Sequence, residues 1–314
     1  MTPVDWQVAW QRALYGPDGF YRAASGPGGH FTTATHGTLG AVLAGAVVRL
    51  ARENGLTHVV DVGAGRGELL RHMYAADPAL RLTGVDVVAR PQTLEAAVEW
   101  QVAPGGATLP ESLHGLDGAL VLAHEWLDVV PCPVAEVDDE GGLRLVLVDP
   151  ETGTEVLGQH LDGDELAWAA IHWVTDSPGD RVEVGLSRDL AWADLLGRVV
   201  RGVVVAVDYG HRAGDRPAGG TLAAYRKGRV VTPVPDGSCD LTAHVAMDTL
   251  DHDELVDQRT ALRGLGVDGR PPSLDLATSD PQRYLRGLAD SSAAAALTAP
   301  GGFGDFLWAV KRVG

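Results

Sequence analysis

Two kinds of apolar pattern run along the chain: short valine-rich runs, and longer stretches whose apolar residues recur roughly every three to four positions. Trp6, Ala9, Trp10, Ala13 and Leu14 keep the helical period and predict a short opening helix. GPDGFYRAASGPGGHFTTA follows, a glycine-rich loop anchored by Phe20, Tyr21 and Phe31, which reads as a flap. Residues 36–54 predict a second helix, stopped by Gly55. An alternating rhythm then begins, with a strand at 58–62, a helix at 67–76, a strand at 80–86 and a helix at 91–100. A weak strand near 106–109 precedes an almost wholly apolar run at 116–123, of the kind buried on both faces of a parallel sheet. The alternation implies right-handed βαβ units, hence an α/β fold with a mostly parallel central sheet and flanking helices.

Past Pro133 the pattern changes. VAEVDDEGGLRLVLVD predicts a hairpin around Glu140-Gly141-Gly142, followed by helices near 164–173 and 187–200. GVVVAVDYG (202–210) returns as a buried strand, and 211–300 holds Gly, Pro and Asp with short helices, one Ala-rich near 290–298. FGDFLWAVKRV (303–313) closes as an alternating strand with Phe306, Trp308 and Val310 on one side. The expected organisation is an opening helix and flap (1–35), a first core part (36–135), an inserted hairpin and helical cover (136–200), and the rest of the core (201–314), all one integrated domain.

Charge narrows the partners. With 25 basic against 42 acidic residues the net charge is −17, a field that repels phosphate backbones and argues against nucleic acid. Acidity for solubility alone explains this charge better than a cationic partner does. Cys132 and Cys239 lie far apart without metal-like spacing, which argues against a disulfide scaffold or zinc cluster, and no metal site is expected. The first residues, MTPVDWQVAW, lack the cationic start of a signal peptide, and no window approaches ~18 uninterrupted apolar residues. A cytoplasmic protein without a membrane span is the expectation.

Candidate chemistry concentrates at the end of the strand 58–62. THVVDVGAGRG (57–67) passes through Asp61 into Gly63, Ala64, Gly65 and Gly67 before the helical ELLRHMYAA. Strand, glycine turn and helix make a nucleotide pocket, because glycine lets the main chain approach a ligand and the helix start offers free N–H groups. A dinucleotide fingerprint is spaced G-x-G-x-x-G; here the spacing is G-x-G-x-G, with Arg66 and Glu68 where a pyrophosphate needs close approach. Asp61 suits a cationic ligand, and Asp86 at the next strand's end can accept the ribose hydroxyls of any nucleoside. Together they favour S-adenosylmethionine (SAM), which carries an ammonium and a sulfonium and no phosphate. A turn that merely joins strand to helix is the alternative.

VLAHEWLDVVPCPV (121–134) resembles the ANE-x-x-DA-x-P-V segment of MidA-like class I SAM-dependent methyltransferases, relatives of the mitochondrial complex I assembly arginine methyltransferase. ALYGPDGFY (13–21) with FTTA (31–34), VDVGAGRGEL (60–69), VVAVDYG (204–210), GTLAAYRKGRVV (220–231), DLTAHV (240–245) and GFGDFLWAVKR (302–312) extend the likeness. It covers nearly the whole chain, loosest at 150–200 and 250–300. The resemblance implies a Rossmann-like class I methyltransferase fold and N-methylation of arginine in a protein, plausibly a respiratory-complex subunit. Departures stand at His124, where the family has Asn, at His30, where it has an acid, and at Thr33-Ala34-Thr35-His36, where it has T-x-P-E.

Glu125 and Asp128, three apart past a buried strand, can present two carboxylates to a guanidinium; capping a helix start is the alternative. The catalytic candidates are Glu125, Asp128 and His244. Asp61, Gly63, Ala64, Gly65, Gly67, Asp86, His124 and Glu125 are the candidates for the cofactor, though His124 reads more readily as a hydrogen-bonded structural histidine. By resemblance, Asp208, Tyr209, Asp240 and Thr242 would face substrate, although Asp240 and Thr242 would also suit a helix cap. Trp126 reads as core or lid, and Arg226, Lys227 and Arg229 as a solvated face. Two other functions fit: a methyltransferase acting on a metabolite or natural product, and an assembly factor or scaffold whose histidine departures mark lost turnover.

Overall fold

Val59, Val60 and Val62 sit at the centre of a sheet whose strands bury both faces. In the computed structural model, which describes residues 2–23, 34–175 and 177–314, that sheet has seven strands. They are β1 (His58–Val62), β2 (Arg81–Asp86), β3 (Glu99–Val102), β4 (Leu116–His124), β5 (Val199–Asp208), β6 (Glu254–Asp257) and β7 (Leu307–Val313), in the spatial order β6-β7-β5-β4-β1-β2-β3. β5, β4, β1, β2 and β3 pair in parallel, while β7 pairs antiparallel with both β5 and β6. The sheet is therefore mixed, with β7 alone running against the rest. Strand order reverses between β1 and β4, and a crevice opens there beyond their carboxyl ends, where open α/β sheets collect ligands.

Register divides the side chains between two layers. Val59, Leu82 and Leu120 align and pack toward the helices α2 (Gly37–Glu53) and α3 (Glu68–Ala76), while Val60, Val121 and Val204 align on the other face with Trp192, Leu195 and Met247. Burial of each such side chain stabilises by roughly 1.5–3 kcal/mol, so both layers hold the strand ends rigidly.

Beside this sheet lies a five-stranded antiparallel one, made from Val4–Asp5, Val134–Val137, Leu143–Val148, Glu155–His160 and Arg181–Glu183. Its central hairpin is the one expected from sequence, with Ala135 opposite Leu145. The opening helix α1 (Trp6–Tyr15) packs Trp6, Trp10 and Leu14 against Val134, Val146 and Leu241, which fastens the beginning of the chain to residues near 240.

Three expectations need correction. Residues 91–100 are not a helix: they form turns ending in β3, and the sheet edge offered by β2 outweighs the helical propensity of LEAAVEW. The strand awaited near 106–109 is only an isolated bridge between Gly105 and Thr108. Asp240 and Thr242 cap no helix, since Asp240–Thr242 is a strand paired with Ala223–Arg226. The expected flap falls largely on residues 24–33, including His30 and Phe31, and lies outside the described residues. Among those described, no helix is long and apolar enough to cross a membrane and no group of three or more His, Cys, Asp or Glu could hold a metal.

Candidate active site

A cavity of about 440 Å³ opens at the carboxyl ends of β1, β2 and β4. One wall is the glycine turn. Gly63, Gly65 and Gly67 have φ of +74°, +59° and +74°, a left-handed path costly for residues with a Cβ. At Gly67, which begins α3, a Cβ would come within 2.6 Å of Leu94, so glycine is required there by space as well as by φ. The Gly63 N–H donates to the Val85 carbonyl at 2.9 Å and the Gly65 N–H to Asp86 Oδ2 at 2.8 Å, which ties the turn to the end of β2. Burial pushes the Asp61 carboxyl up to about 8, reinforced by the charges of Asp86 and Glu68. Asp86 rises to about 6 through burial, opposed by backbone N–H donors at Gly65 and Val88. These carboxyls would be relieved by a cation, and the chemistry of the set fits the ammonium and ribose ends of SAM. Asp61, Asp86 and the Gly63–Gly67 turn would hold that cofactor, which supplies a methyl on an electrophilic sulfonium when bound.

The opposite wall starts where β4 ends. Glu125 adopts φ +52°, one of two non-glycine residues in that region among those described. Its N–H donates to the Val207 carbonyl at 2.8 Å, so the neighbouring strand holds this sharp turn in place. Burial raises its carboxyl to about 8, with Asp128 and Asp240 adding like charge. Asp128 Oδ2 accepts the Thr242 hydroxyl at 2.7 Å and the Tyr209 hydroxyl in a short contact, and Tyr209 also meets Thr242. Asp128 Oδ1 is buried without a partner. Asp240 Oδ1 accepts the Tyr21 hydroxyl at 2.7 Å, and burial lifts this carboxyl to about 8. The cavity lining thus carries six carboxyl groups, on Asp61, Glu68, Asp86, Glu125, Asp128 and Asp240, against one arginine, Arg66, among the described residues.

The structure sorts the sequence candidates. Asp61, Gly63, Ala64, Gly65, Asp86, His124, Glu125, Asp128, Tyr209, Asp240, Thr242 and His244 line one cavity. Gly67 lies just behind it, packed on Leu94. Asp208 does not line the cavity: it is wholly buried, and its Oδ2 accepts the N–H groups of Leu127 at 3.0 Å and Asp128 at 3.2 Å. Its place is to hold the loop on which Asp128 rides. His124 is buried with neither ring nitrogen hydrogen-bonded, its Nδ1 3.4 Å from Glu125 Oε1, and burial lowers it to about 4. It is a neutral wall rather than the hydrogen-bonded histidine expected. His244 is exposed, edge-on to the Tyr209 ring at 5.4 Å. Trp126 backs the glycine turn, 3.3 Å from where a Cβ on Gly63 would stand.

Three contributors escaped the sequence reading. Tyr15 lines the cavity, and its hydroxyl donates to the Val129 carbonyl at 3.0 Å. Arg22 donates to the carbonyls of Tyr15, Val87 and Pro104, which staples the turn Phe20–Arg22 beside the crevice. Arg188 is buried behind the Asp128 loop. Tyr15 sits within the segment ALYGPDGFY without being singled out there, and Arg22 and Arg188 carry no local motif, since a lone arginine or tyrosine reads as surface or core until the fold places it.

Comparisons with known proteins agree with this geometry. Residues 74–263, more than half of the chain, match the profile of a family described as "Putative S-adenosyl-L-methionine-dependent methyltransferase". A COG1565 superfamily member from Burkholderia thailandensis, solved bound to S-adenosyl-homocysteine, superposes with a TM-score of 0.76 at 23% identity, over 98% of this chain and 87% of that one. A native structure of a COG1565 superfamily protein from the same organism gives 0.73 at 22% identity, over 99% and 87%. At such identities the likeness is one of fold. No curated protein matches the chain. Its matched profile places the chain in this family of SAM-dependent methyltransferases, the MidA-like family.

Proposed function

We propose that the enzyme methylates nitrogen on a cationic acceptor, the guanidinium of an arginine in a protein, within a Rossmann-like class I core made of residues 36–135 and 201–314. The observation that carries this reading is the acidic wall: Glu125 and Asp128 stand beside Asp240 with all three carboxyl groups raised by burial, and the charge of Asp128 raises Glu125 and Asp240 further. Such a cluster is costly to ionise alone and favourable to ionise around a cation. A planar guanidinium can take two carboxylates through paired N–H donors, and fixing it this way sets one nitrogen toward the methyl. Glu125 and Asp128 would hold and orient the acceptor, while Tyr209 and Thr242 hold Asp128 in place. The proton leaving the methylated nitrogen has a carboxylate beside it. His244 stands at the rim as a further acceptor contact. A metabolite carrying a guanidinium would meet the same wall, and the test separates the two.

Lysate proteins incubated with the enzyme and isotope-labelled SAM should yield labelled methylarginine on digestion and mass spectrometry. Label confined to small molecules would overturn the protein reading. Glu125→Gln should reduce transfer by about 100-fold, as losing one charged hydrogen-bond partner at a reacting group does. Unchanged transfer would remove Glu125 from the role.

A further inference from the structure

Arg188, in the first turn of the helix Leu186–Gly197, is 1% exposed and has no carboxylate bonded to it. Its guanidinium donates to three backbone carbonyls: Nε to Val130 at 3.1 Å, Nη2 to Asp128 at 2.9 Å and Nη1 to His244 at 2.8 Å. It also sits 5.7 Å over the ring of Trp10 in α1. A buried cation bonded only to neutral acceptors is costly unless charge nearby offsets it. The charges nearby are acidic and belong to the site: Arg188 lowers the proton affinity of both Asp128 and Asp208, against the stronger effect of burial. The other groups facing that pair are Glu125 in the same loop, Tyr209 after β5, Asp240 on its strand, and Tyr15 and Tyr21 from the beginning of the chain.

We propose that Arg188 is the positioning residue of the acceptor pocket, joining the Asp128 loop to the segment carrying His244 and supplying a buried positive charge behind the acidic wall. Residues 124–130 leave β4 and residues 240–246 come from the far end of the chain. Ala243 N–H to Asp128 carbonyl, at 3.2 Å, is a direct backbone bond between them, and the rigid fork of Arg188 adds a second link through Asp128 and His244. Arg188 acts through these carbonyls and touches no acceptor itself. The proposal rests on reading Asp128 and its neighbours as the acceptor wall.

The test uses the full chain loaded with S-adenosyl-homocysteine, with carbon-13-labelled aspartate followed by NMR against pH. In Arg188→Met the protonation midpoints of Asp128 and Asp208 should rise by about one pH unit or more, since their countercharge is gone. Cofactor affinity should stay within about threefold, and label transfer to lysate proteins should fall about 30-fold or more in kcat. A folded, cofactor-binding Arg188→Met with unmoved midpoints overturns the proposal. If that variant does not fold, Arg188→Lys decides. It keeps the charge and the midpoints, but its ammonium cannot span three carbonyls, so amide exchange at 127–130 and 243–245 should quicken about tenfold. Exchange there at the wild-type rate overturns the proposal as well. Should wild-type enzyme label no lysate protein, the protein-arginine reading fails, and the aspartate midpoints still decide the role of Arg188.

Discussion

The Asp208 carboxylate accepts the backbone N–H of Asp128 at 3.2 Å, so an acid at the end of β5 fixes an acid on the loop after β4. The same oxygen takes the N–H of Leu127, and two buried donors depend on it. Asp208→Ala should therefore destabilise the fold by about 2–4 kcal/mol, mostly from stranded N–H groups. Asp208→Asn keeps an accepting oxygen and should cost about half as much. Chemical denaturation of both variants checks the order, and equal stabilities would contradict the role given to Asp208.

Cofactor binding should release protons. Asp61, raised to about 8 by burial, holds its proton at pH 7 in the free enzyme, and an ammonium beside it draws the carboxyl into its ionised form. Calorimetry with SAM in buffers of different ionisation enthalpy should show about one proton released at pH 7. Asp61→Asn should abolish that release and weaken binding about 10–100-fold, the range for a charged hydrogen bond. Binding heats independent of buffer would rule the contact out.

Glu125 offers a case where stability and activity part company. Its left-handed backbone costs a residue with a Cβ about 1–2 kcal/mol, and glycine relieves that. Glu125→Gly should melt within about 3 °C of the wild type or above it, yet lose about 100-fold or more in transfer. A variant that is both unstable and active would show that the turn, rather than the carboxyl, is what the site needs.

Stability should also depend on pH with a definite sign. The carboxyls of Asp61, Glu125 and Asp240, lifted to about 8 in the fold, return to ordinary carboxyl values in the unfolded chain. What they contribute is present in full below those ordinary values and is lost as pH rises through about 8. His58 and His124, lowered to about 4, and His211, lowered to about 3, contribute above their ordinary value and lose it as pH falls. Above pH 6.5 the histidine contribution is nearly complete and the carboxyls dominate the slope, with the buried Cys132 thiol, raised to about 11, adding loss of the same sign toward pH 9. The melting temperature of the ligand-free enzyme should fall by about 5 °C or more between pH 6.5 and 9, and less in Asp61→Asn. A flat profile in differential scanning calorimetry would refute this.

How much of this was legible in the sequence follows from where the determining contacts lie. The glycine turn and its acids could be read because one strand, one turn and one helix make that wall from contiguous residues. β4 and β5 could be read because strands buried on both faces leave unbroken apolar runs. β3 could not: Glu99–Val102 is half-exposed and stands only because the edge of β2 receives it. The acceptor wall was named through family likeness, since Glu125, Tyr209 and Thr242 come from three separated segments. Arg188, in SRDLAW, has the pattern of a solvent-facing helical residue, and only the loop after β4 arriving beside it makes it buried. Asp208 carried no mark to distinguish a substrate contact from a brace.

The bond from Trp10 Nε1 to the Leu241 carbonyl, 3.0 Å long across 231 residues of chain, bears on how this enzyme is made. The helix Trp6–Tyr15 leaves the ribosome well before the strand of Leu241, with Trp6, Trp10 and Leu14 still without the cover that Leu241 supplies. At about 5–20 residues per second, the strand that receives Trp10 follows on the order of tens of seconds later. For that interval the apolar face of the helix lacks part of its cover. Completion of the proposed acceptor pocket, which uses Tyr15 from that same helix, is then an event of late synthesis, and a chain interrupted before residue 240 would retain the glycine turn while lacking Asp240, Thr242 and His244 from the wall opposite it.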